Sequence, residues 1–305
     1  MTEIKKWQNH AGTVLDSVKG FDVIECETCG FAHIIPLRDE KQHAQFYKEE
    51  FYQEKENYIE SHTQDLEWWS IEHNEKYDFF DQQLAEHSSK KILDIGSGPG
   101  YFLKVGKDRG WDITGVEPGK PAYQFSVEEL GLNIFNELFT DKNYKNFGEF
   151  DVINMNKVLE HIPDPKQFLK YAYEILVSEG LICITVPNDY NPLQKIIIPY
   201  LKKDPWWIVP KDHVNYFNLT SLSALVGTVG FKTIYTTSSF PLELFVLMGE
   251  DYIGNSQIGR EIHNQRKNFE RAMAETNNTN LKRQIYNKLS ELDLGREITI
   301  IGKKQ

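Results

Sequence analysis

The sequence predicts an α/β fold built on a doubly wound, mostly parallel β-sheet. From residue 91 onwards, short apolar segments typical of buried strands alternate with amphipathic segments of helical length. Glycines follow several of the helical segments, as helix C-termini prefer. Strands separated by helices pair in parallel through right-handed crossovers, so helices are expected on both faces of the sheet.

The elements of this fold follow one another along the chain. The predicted strands are KILDIG, WDITGVE, LNIFN, FDVINM, LICITVP, FKTIYTT and REITIIGKK. The predicted helices are GYFLKVGKDRG, PAYQFSVEELG, KQFLKYAYEILVSEG, TSLSALVGTVG with Thr220 or Ser221 as N-cap, and two runs near 256–275 and 280–294. Prolines and aromatic residues after Pro187 predict a cover over the carboxyl edge of the sheet rather than a sheet element.

The chain is expected to divide into an N-terminal extension, a packing helix and a main domain. The extension covers residues 1–60, the amphipathic helix lies within 61–90, and the main domain covers 91–305. Within the main domain, 188–220 is predicted to be a lid over the substrate, and 256–294 a helical insertion. His73 falls on the apolar face of the amphipathic helix, where a histidine is usually only packed, so it receives no role.

Composition narrows the classes of function. The 305 residues carry a formal net charge of −11 without a long basic run, which argues against a large nucleic-acid interface but leaves room for a local basic pocket. The apolar stretches are too short to span a bilayer, which needs about 20 residues. Three cysteines suit a reducing compartment, so a cytoplasmic location away from membranes is expected.

The glycine-rich segment KILDIGSGPGYF, residues 91–102, is the strongest functional signal. A phosphate loop would need Lys and then Ser or Thr after its last glycine, but Tyr101 and Phe102 follow here. A dinucleotide loop would read Gly-x-Gly-x-x-Gly, whereas Gly100 comes one position early. The third interpretation is a nucleoside without phosphates beside Gly96 and Gly98.

Two acidic residues support the nucleoside interpretation. Asp94 precedes the glycine loop, and Glu117 ends the next predicted strand, about 20 residues on, where an acid binds ribose in nucleotide folds. A carboxylate accepts hydrogen bonds from both hydroxyls of a vicinal diol.

These motifs together resemble those of class I S-adenosylmethionine-dependent methyltransferases. The matching segments are ILDIGSGPGYFL, GVEP and VINMNKVLEHIPDP, and the resemblance extends over about residues 90–240. EHIPDP with the later HVNYFNLTSLSALVGTVGF resembles the small-molecule O-methyltransferase branch, including ubiquinone-biosynthesis enzymes and enzymes that tailor sugars or antibiotics. The resemblance implies a Rossmann-like sheet with an antiparallel last strand, REITIIG.

The resemblance also implies which residues bind the cofactor S-adenosylmethionine, whose product after methyl transfer is S-adenosylhomocysteine. Asp94, Gly96 and Gly98 would line the methionine and ribose part, and Gly100 would let the helix pack closely. Glu117 would hold the ribose. The further cofactor residues implied are Tyr101, Pro118 on the adenine side, Asn156 beside the methionine, Glu137 at the adenine amino group, and Tyr52 and Tyr58 as N-terminal tyrosines that close over the cofactor.

Transfer to a hydroxyl requires removal of a proton, and histidine suits that task near neutral pH. Two candidates are His161, which follows the fourth strand, and His213, which lies in the cover; each could instead be packed or act as a cap. The hypothesis is that His213 deprotonates the acceptor. Trp206, Trp207 and Tyr216 form a wall for the substrate or, equally well, anchor the cover to the sheet.

Cys26 and Cys29 form one CxxC knuckle, whereas a structural zinc site needs four ligands. VIECETCGFAH resembles only the second half of the zinc ribbon found in related sugar methyltransferases. His10 and His33 could complete a site, but their spacing is not a known strong pattern. The favoured expectation is a remnant of a ribbon that binds no metal, with one zinc per chain as the alternative.

The predicted function is methyl transfer to a hydroxyl of a small molecule, such as a sugar or a secondary-metabolite intermediate. Transfer to carbon or nitrogen is the alternative within the class. A cofactor-binding subunit without turnover and an NAD-dependent enzyme are alternatives outside it. The charge disfavours an RNA substrate, and the sequence leaves the oligomeric state open.

Overall fold

A seven-stranded sheet forms the centre of the computed structural model, which describes residues 3–37, 58–87 and 89–305. Its strands lie in the order β11-β12-β9-β8-β5-β6-β7. All neighbouring pairs from β9 to β7 are parallel, and β12 is antiparallel to both of its neighbours. The strands are β5 (Lys91–Ile95), β6 (Asp112–Val116), β7 (Ile134–Phe135), β8 (Phe150–Asn156), β9 (Leu176–Pro187), β11 (Phe231–Ser238) and β12 (Glu297–Lys304). The predicted fold class, including the antiparallel last strand, is confirmed.

Helices cover both faces of this sheet. In chain order they are α1 (Tyr58–Gln64), α2 (Leu66–Gln83), α3 (Tyr101–Asp108), α4 (Lys120–Glu128), α5 (Pro165–Glu174), α6 (Pro192–Leu201), α7 (Leu219–Val229), α8 (Glu243–Leu247), α9 (Ser256–Glu275) and α10 (Thr279–Glu291). Alternate residues of the central strands enter two separate cores. Leu93 and Ile153 pack with α5 and α7, whereas Ile92 and Val152 pack with α2 and α3.

A second, smaller sheet lies at the N-terminus and was not predicted. Strands β1 (Ile4–Trp7), β2 (His10–Val18), β3 (Phe21–Cys26) and β4 (Ala32–Ile35) form an antiparallel meander. Strand β10 (Asn215–Tyr216) completes it by pairing with β4. The expectation that 188–220 holds no sheet element is therefore wrong at these two residues, because the cover crosses back to the N-terminal sheet.

Two predicted helix boundaries also differ. The helix expected over 166–180 ends at Glu174, and strand β9 begins at Leu176. The chain leaves the helix there because the backbone N–H of Phe150 donates to Ile175 O and β9 then pairs with β8 in the sheet. Helix α7 is capped by Asn218 rather than by Thr220 or Ser221. Asn218 Oδ1 accepts from Ser221 N at 2.9 Å, and Ser221 Oγ accepts from Asn218 N at 3.1 Å, which forms a capping box.

Helices α9 and α10 form a hairpin within residues 256–294, the range of the predicted insertion. A buried polar cluster connects this hairpin to α2. Glu270 accepts hydrogen bonds from Trp68 Nε1 at 2.7 Å, Arg266 Nε at 2.9 Å and Tyr286 OH at 2.6 Å. A buried carboxylate with this many donors is satisfied, so the cluster fixes the hairpin in place. Within the described ranges, every helix is too short or too polar to cross a bilayer.

Candidate active site

A cavity of about 870 Å³ opens at the carboxyl edge of the parallel strands. Parallel strands end on the same edge, so the loops after β5, β6 and β8 meet there. These loops contribute residues to the cavity wall, and helices α1 and α2 close one side of it. The site is therefore built mainly by chain segments whose positions the sheet fixes.

The loop from β5 into α3 has a backbone that favours glycine. Gly96, Gly98 and Gly100 all have positive φ angles, of 72°, 52° and 84°. A Cβ atom at Gly96 would lie 2.7 Å from Val158 Cγ2, and one at Gly100 would lie 2.6 Å from Leu132 Cδ1. Gly96 and Gly98 line the cavity, while Gly100 lies at the start of α3, where the helix packs closely.

Glu117 joins this loop to the next one. The carboxylate is 4% exposed; Oε2 accepts from Gly98 N at 2.9 Å, and Oε1 accepts from Gly119 N at 2.7 Å. These two hydrogen bonds hold the carboxylate against the backbone of both loops. The side chain lines the cavity, as a ribose-binding acid requires.

Asp94 lies beneath the loop in a buried position. Burial raises its pKa to about 7, and nearby Glu117 acts in the same direction, whereas Asn154 and Lys76 lower it. Asn154 Nδ2 donates to Asp94 Oδ1 at 2.7 Å and so fixes the carboxyl group. Its charge therefore changes close to neutral pH.

Only some of the other predicted cofactor residues are among the described residues that line the cavity. Pro118, Tyr101 and Asn156 line the cavity, and Tyr101 OH forms a hydrogen bond with Thr63 of α1. Glu137 instead accepts from Asn143 Nδ2 at 2.7 Å and is not among the described lining residues. Tyr52 and the side chain of Tyr58 lie outside the described residues.

Two histidines and a glutamate meet in the wall of the same cavity. The ring centroids of His161 and His213 are 5.0 Å apart, and both residues line the cavity together with Glu160. His161 Nδ1 donates to the Asp212 backbone oxygen at 2.9 Å, which leaves its Nε2 directed towards Glu160 Oε1 at 3.7 Å. Burial raises the pKa of Glu160 well above its ordinary value.

The aromatic residues of the cover do not form the predicted substrate wall. Trp207 and Tyr216 are buried in a cluster with Val23 and Ile34 of the N-terminal sheet, and Trp206 packs against that cluster. None of the three belongs to the described lining of the cavity. They anchor the cover to the small sheet, which is the second of the two roles expected for them.

Several lining residues were not predicted from the sequence. They come from the packing helices, from the segments after β7 and β8, and from the residues around the start of β12: His62, Trp69, His73, Lys76, Phe139, Lys157, Arg296 and Glu297. Burial lowers the pKa of His73 to about 4, so this ring is neutral near pH 7. The helical periodicity placed Trp69 and His73 on a buried face, but it could not indicate that this face borders a cavity.

Comparison with known proteins gives one family match. The profile described as "Methyltransferase domain" matches residues 68–236. Ubiquinone biosynthesis O-methyltransferases of Pseudomonas aeruginosa and Psychrobacter arcticus are 26% and 28% identical, over 36% and 42% of this chain and 49% and 53% of theirs. The chain spans about half the length of these curated relatives. The solved plantazolicin methyltransferase BpumL in complex with SAH shares the fold, with a TM-score of 0.51, 15% identity, and coverage of 87% of this chain and 95% of that chain.

The raised pKa of Asp94 predicts a specific pH dependence of stability. The folded chain holds the Asp94 proton up to about pH 7, whereas an unfolded aspartate loses it near pH 4, so this residue lowers stability as pH rises from 4 to 7. Asp94→Asn should remove this pH-dependent loss in the free energy of unfolding, which amounts to up to about 4 kcal/mol at pH 8. Urea unfolding of both proteins at pH 5 to 8 measures it.

The exposed Asp108 provides a matched control for this measurement. Asp108→Asn makes the same chemical change on the exposed surface of α3 and so controls for the loss of a carboxyl group as such. A constant difference between wild type and Asp94→Asn from pH 5 to 8 would contradict the assigned titration.

Proposed function

Because the chain belongs to the methyltransferase domain family, we propose that it transfers a methyl group from S-adenosylmethionine to a hydroxyl group of a small molecule. The observation that carries this proposal is that the wall of one cavity contains both an acidic, glycine-lined cradle and a pair of imidazoles. The cradle suits a nucleoside with a cationic tail, and the imidazoles suit an acceptor that must lose a proton.

The residues present fit S-adenosylmethionine better than a dinucleotide. Glu117 accepts from the Gly98 N–H, which a pyrophosphate would otherwise use, and Asp94 lies next to it. The Glu117 carboxylate repels phosphates but attracts ammonium and sulfonium charges, and a cationic ligand would favour the ionised form of Asp94 as well. Glu117 would hold the ribose hydroxyls, and Asp94 would face the methionine ammonium group, with Asn156 beside it.

The bound cofactor supplies a methyl group on a positively charged sulfur, and this sulfur is the leaving group when a nucleophile attacks the methyl carbon. The protein aligns the acceptor oxygen and removes its proton as the oxygen–carbon bond forms. We assign proton removal to His213, which is the less buried of the two histidines. His161 is oriented by Asp212 and supports the His213 ring from the side.

The names of the curated relatives support oxygen as the acceptor atom. Both aligned relatives are called O-methyltransferases, and residues 68–236, which the family profile matches, include the cofactor loop. Transfer to carbon or nitrogen is the alternative within this class, and NMR analysis of a methylated product distinguishes it. A chain that binds the cofactor without turnover would give no methylated product from any acceptor.

Glu117→Gln tests the cofactor site. The amide keeps the size of the side chain but removes the charge, so the affinity for S-adenosylmethionine should fall by about 10- to 100-fold. Isothermal titration calorimetry measures the change, with Glu128→Gln as control because that glutamate is exposed on α4. Equal affinity for wild type and Glu117→Gln would exclude the ribose role.

His213→Ala tests the assigned base. Turnover is measured as the release of S-adenosylhomocysteine in the presence of a pool of hydroxylated small molecules. It should drop at least about 100-fold, because general base catalysis contributes this much. The affinity for S-adenosylmethionine should stay within about twofold of wild type, because the proposed cofactor contacts come from the glycine loop, Asp94 and Glu117 rather than from His213. If His161→Ala loses turnover while His213→Ala keeps it, the base assignment is wrong.

A further inference from the structure

We propose that His10, Cys26, Cys29 and His33 bind one zinc ion in the N-terminal sheet. The sequence favours a metal-free remnant here, because only one CxxC pair is present. The fold adds the two histidines to that pair. One ligand atom from each of the four side chains lies within 4.8 Å of all the others.

The separations of His10 from the two cysteines match those of a tetrahedral zinc site. Zinc–nitrogen and zinc–sulfur bonds of about 2.0 to 2.3 Å place neighbouring ligand atoms about 3.3 to 3.8 Å apart. His10 Nδ1 lies 3.3 Å from Cys29 Sγ and 3.7 Å from Cys26 Sγ. The cysteines are free thiols rather than a disulfide, so both sulfurs can ligate a metal.

The backbone around the cysteines is arranged as a tight knuckle. Gly30 N donates to Cys26 O at 2.9 Å, and Cys26 N donates to Phe31 O at 3.2 Å. Gly30 has a φ of 77°, which a glycine adopts readily at the turn. This turn directs Cys26 and Cys29 towards the same point, and the first residue of β2, His10, approaches from the neighbouring strand.

His33 is held in the tautomer that a metal ligand requires. Its Nδ1 lies 2.8 Å from the backbone oxygen of Ile34 and must donate to it, so Nε2 carries a lone pair. Nε2 is buried and has no hydrogen-bond partner among the described residues. A buried nitrogen acceptor without a donor is unfavourable, and a metal ion would satisfy it.

The donor set and the burial define the class of site. Two thiolates and two imidazoles suit zinc, and four protein ligands leave no open position for a substrate. Cys26 and His33 are each 1% exposed. The site is therefore structural rather than catalytic.

The site is directly connected to the wall of the large cavity. His33 pairs with Asn215 across β4 and β10, and Asn215 Nδ2 donates to Ile162 O at 2.7 Å. Val214 N donates to Glu160 O at 2.9 Å. We therefore expect the metal to hold the segment around His213 against the turn that carries Glu160.

Metal analysis of the untagged full chain tests the proposal. Inductively coupled plasma mass spectrometry should find about one zinc per chain, and Cys29→Ser and His10→Ala should lose most of it. Cys183→Ala, which removes the third thiol of the chain far from the cluster, should retain it. Cobalt substituted into the wild type should show thiolate-to-metal charge-transfer absorption.

Removal of the metal should also have a structural effect. Chelation of the wild type should increase amide hydrogen exchange around Val214, and added zinc should reverse the increase. Wild type that stays metal-free after incubation with zinc, or that carries a Cys26–Cys29 disulfide under mild reduction, would overturn the proposal. These measurements use neither S-adenosylmethionine nor turnover, so their failure is separate from failure of the proposed function.

Discussion

The two hydrogen bonds that Glu117 accepts from Gly98 N and Gly119 N are the interaction on which the site depends. They join the loop after β5 to the loop after β6 and hold a buried carboxylate at the cavity wall. The same contacts fix the orientation of the carboxylate. Without them, the glycine loop would be an ordinary turn between a strand and a helix.

The fold brings chemistry from distant parts of the chain to one edge. The parallel strands place the acidic cradle there, while β10 couples the cover to the N-terminal sheet. This coupling sets His213 beside His161, although the two are separated by a strand, a helix and the cover in the sequence. The N-terminal sheet, which contributes no lining residue among those described, thus supports the part of the cavity wall that carries His213.

The sequence predicted the central sheet and the cofactor cradle because both depend on local patterns. Apolar segments, glycine spacing and the position of Glu117 relative to Gly98 are visible within about 30 residues. The N-terminal sheet was missed because strands such as IKKW are short and polar. The role of Trp207 and the meeting of His10 with Cys29 depend on contacts between distant segments, and no periodicity along the chain records them.

Calorimetric titration of the wild-type chain with S-adenosylmethionine and, separately, with NADH tests the central claim most directly. The acidic cradle predicts that one S-adenosylmethionine binds per chain and that NADH gives no heat of binding, because its pyrophosphate would face the Glu117 carboxylate. Binding of NADH, with no binding of S-adenosylmethionine, would contradict the account.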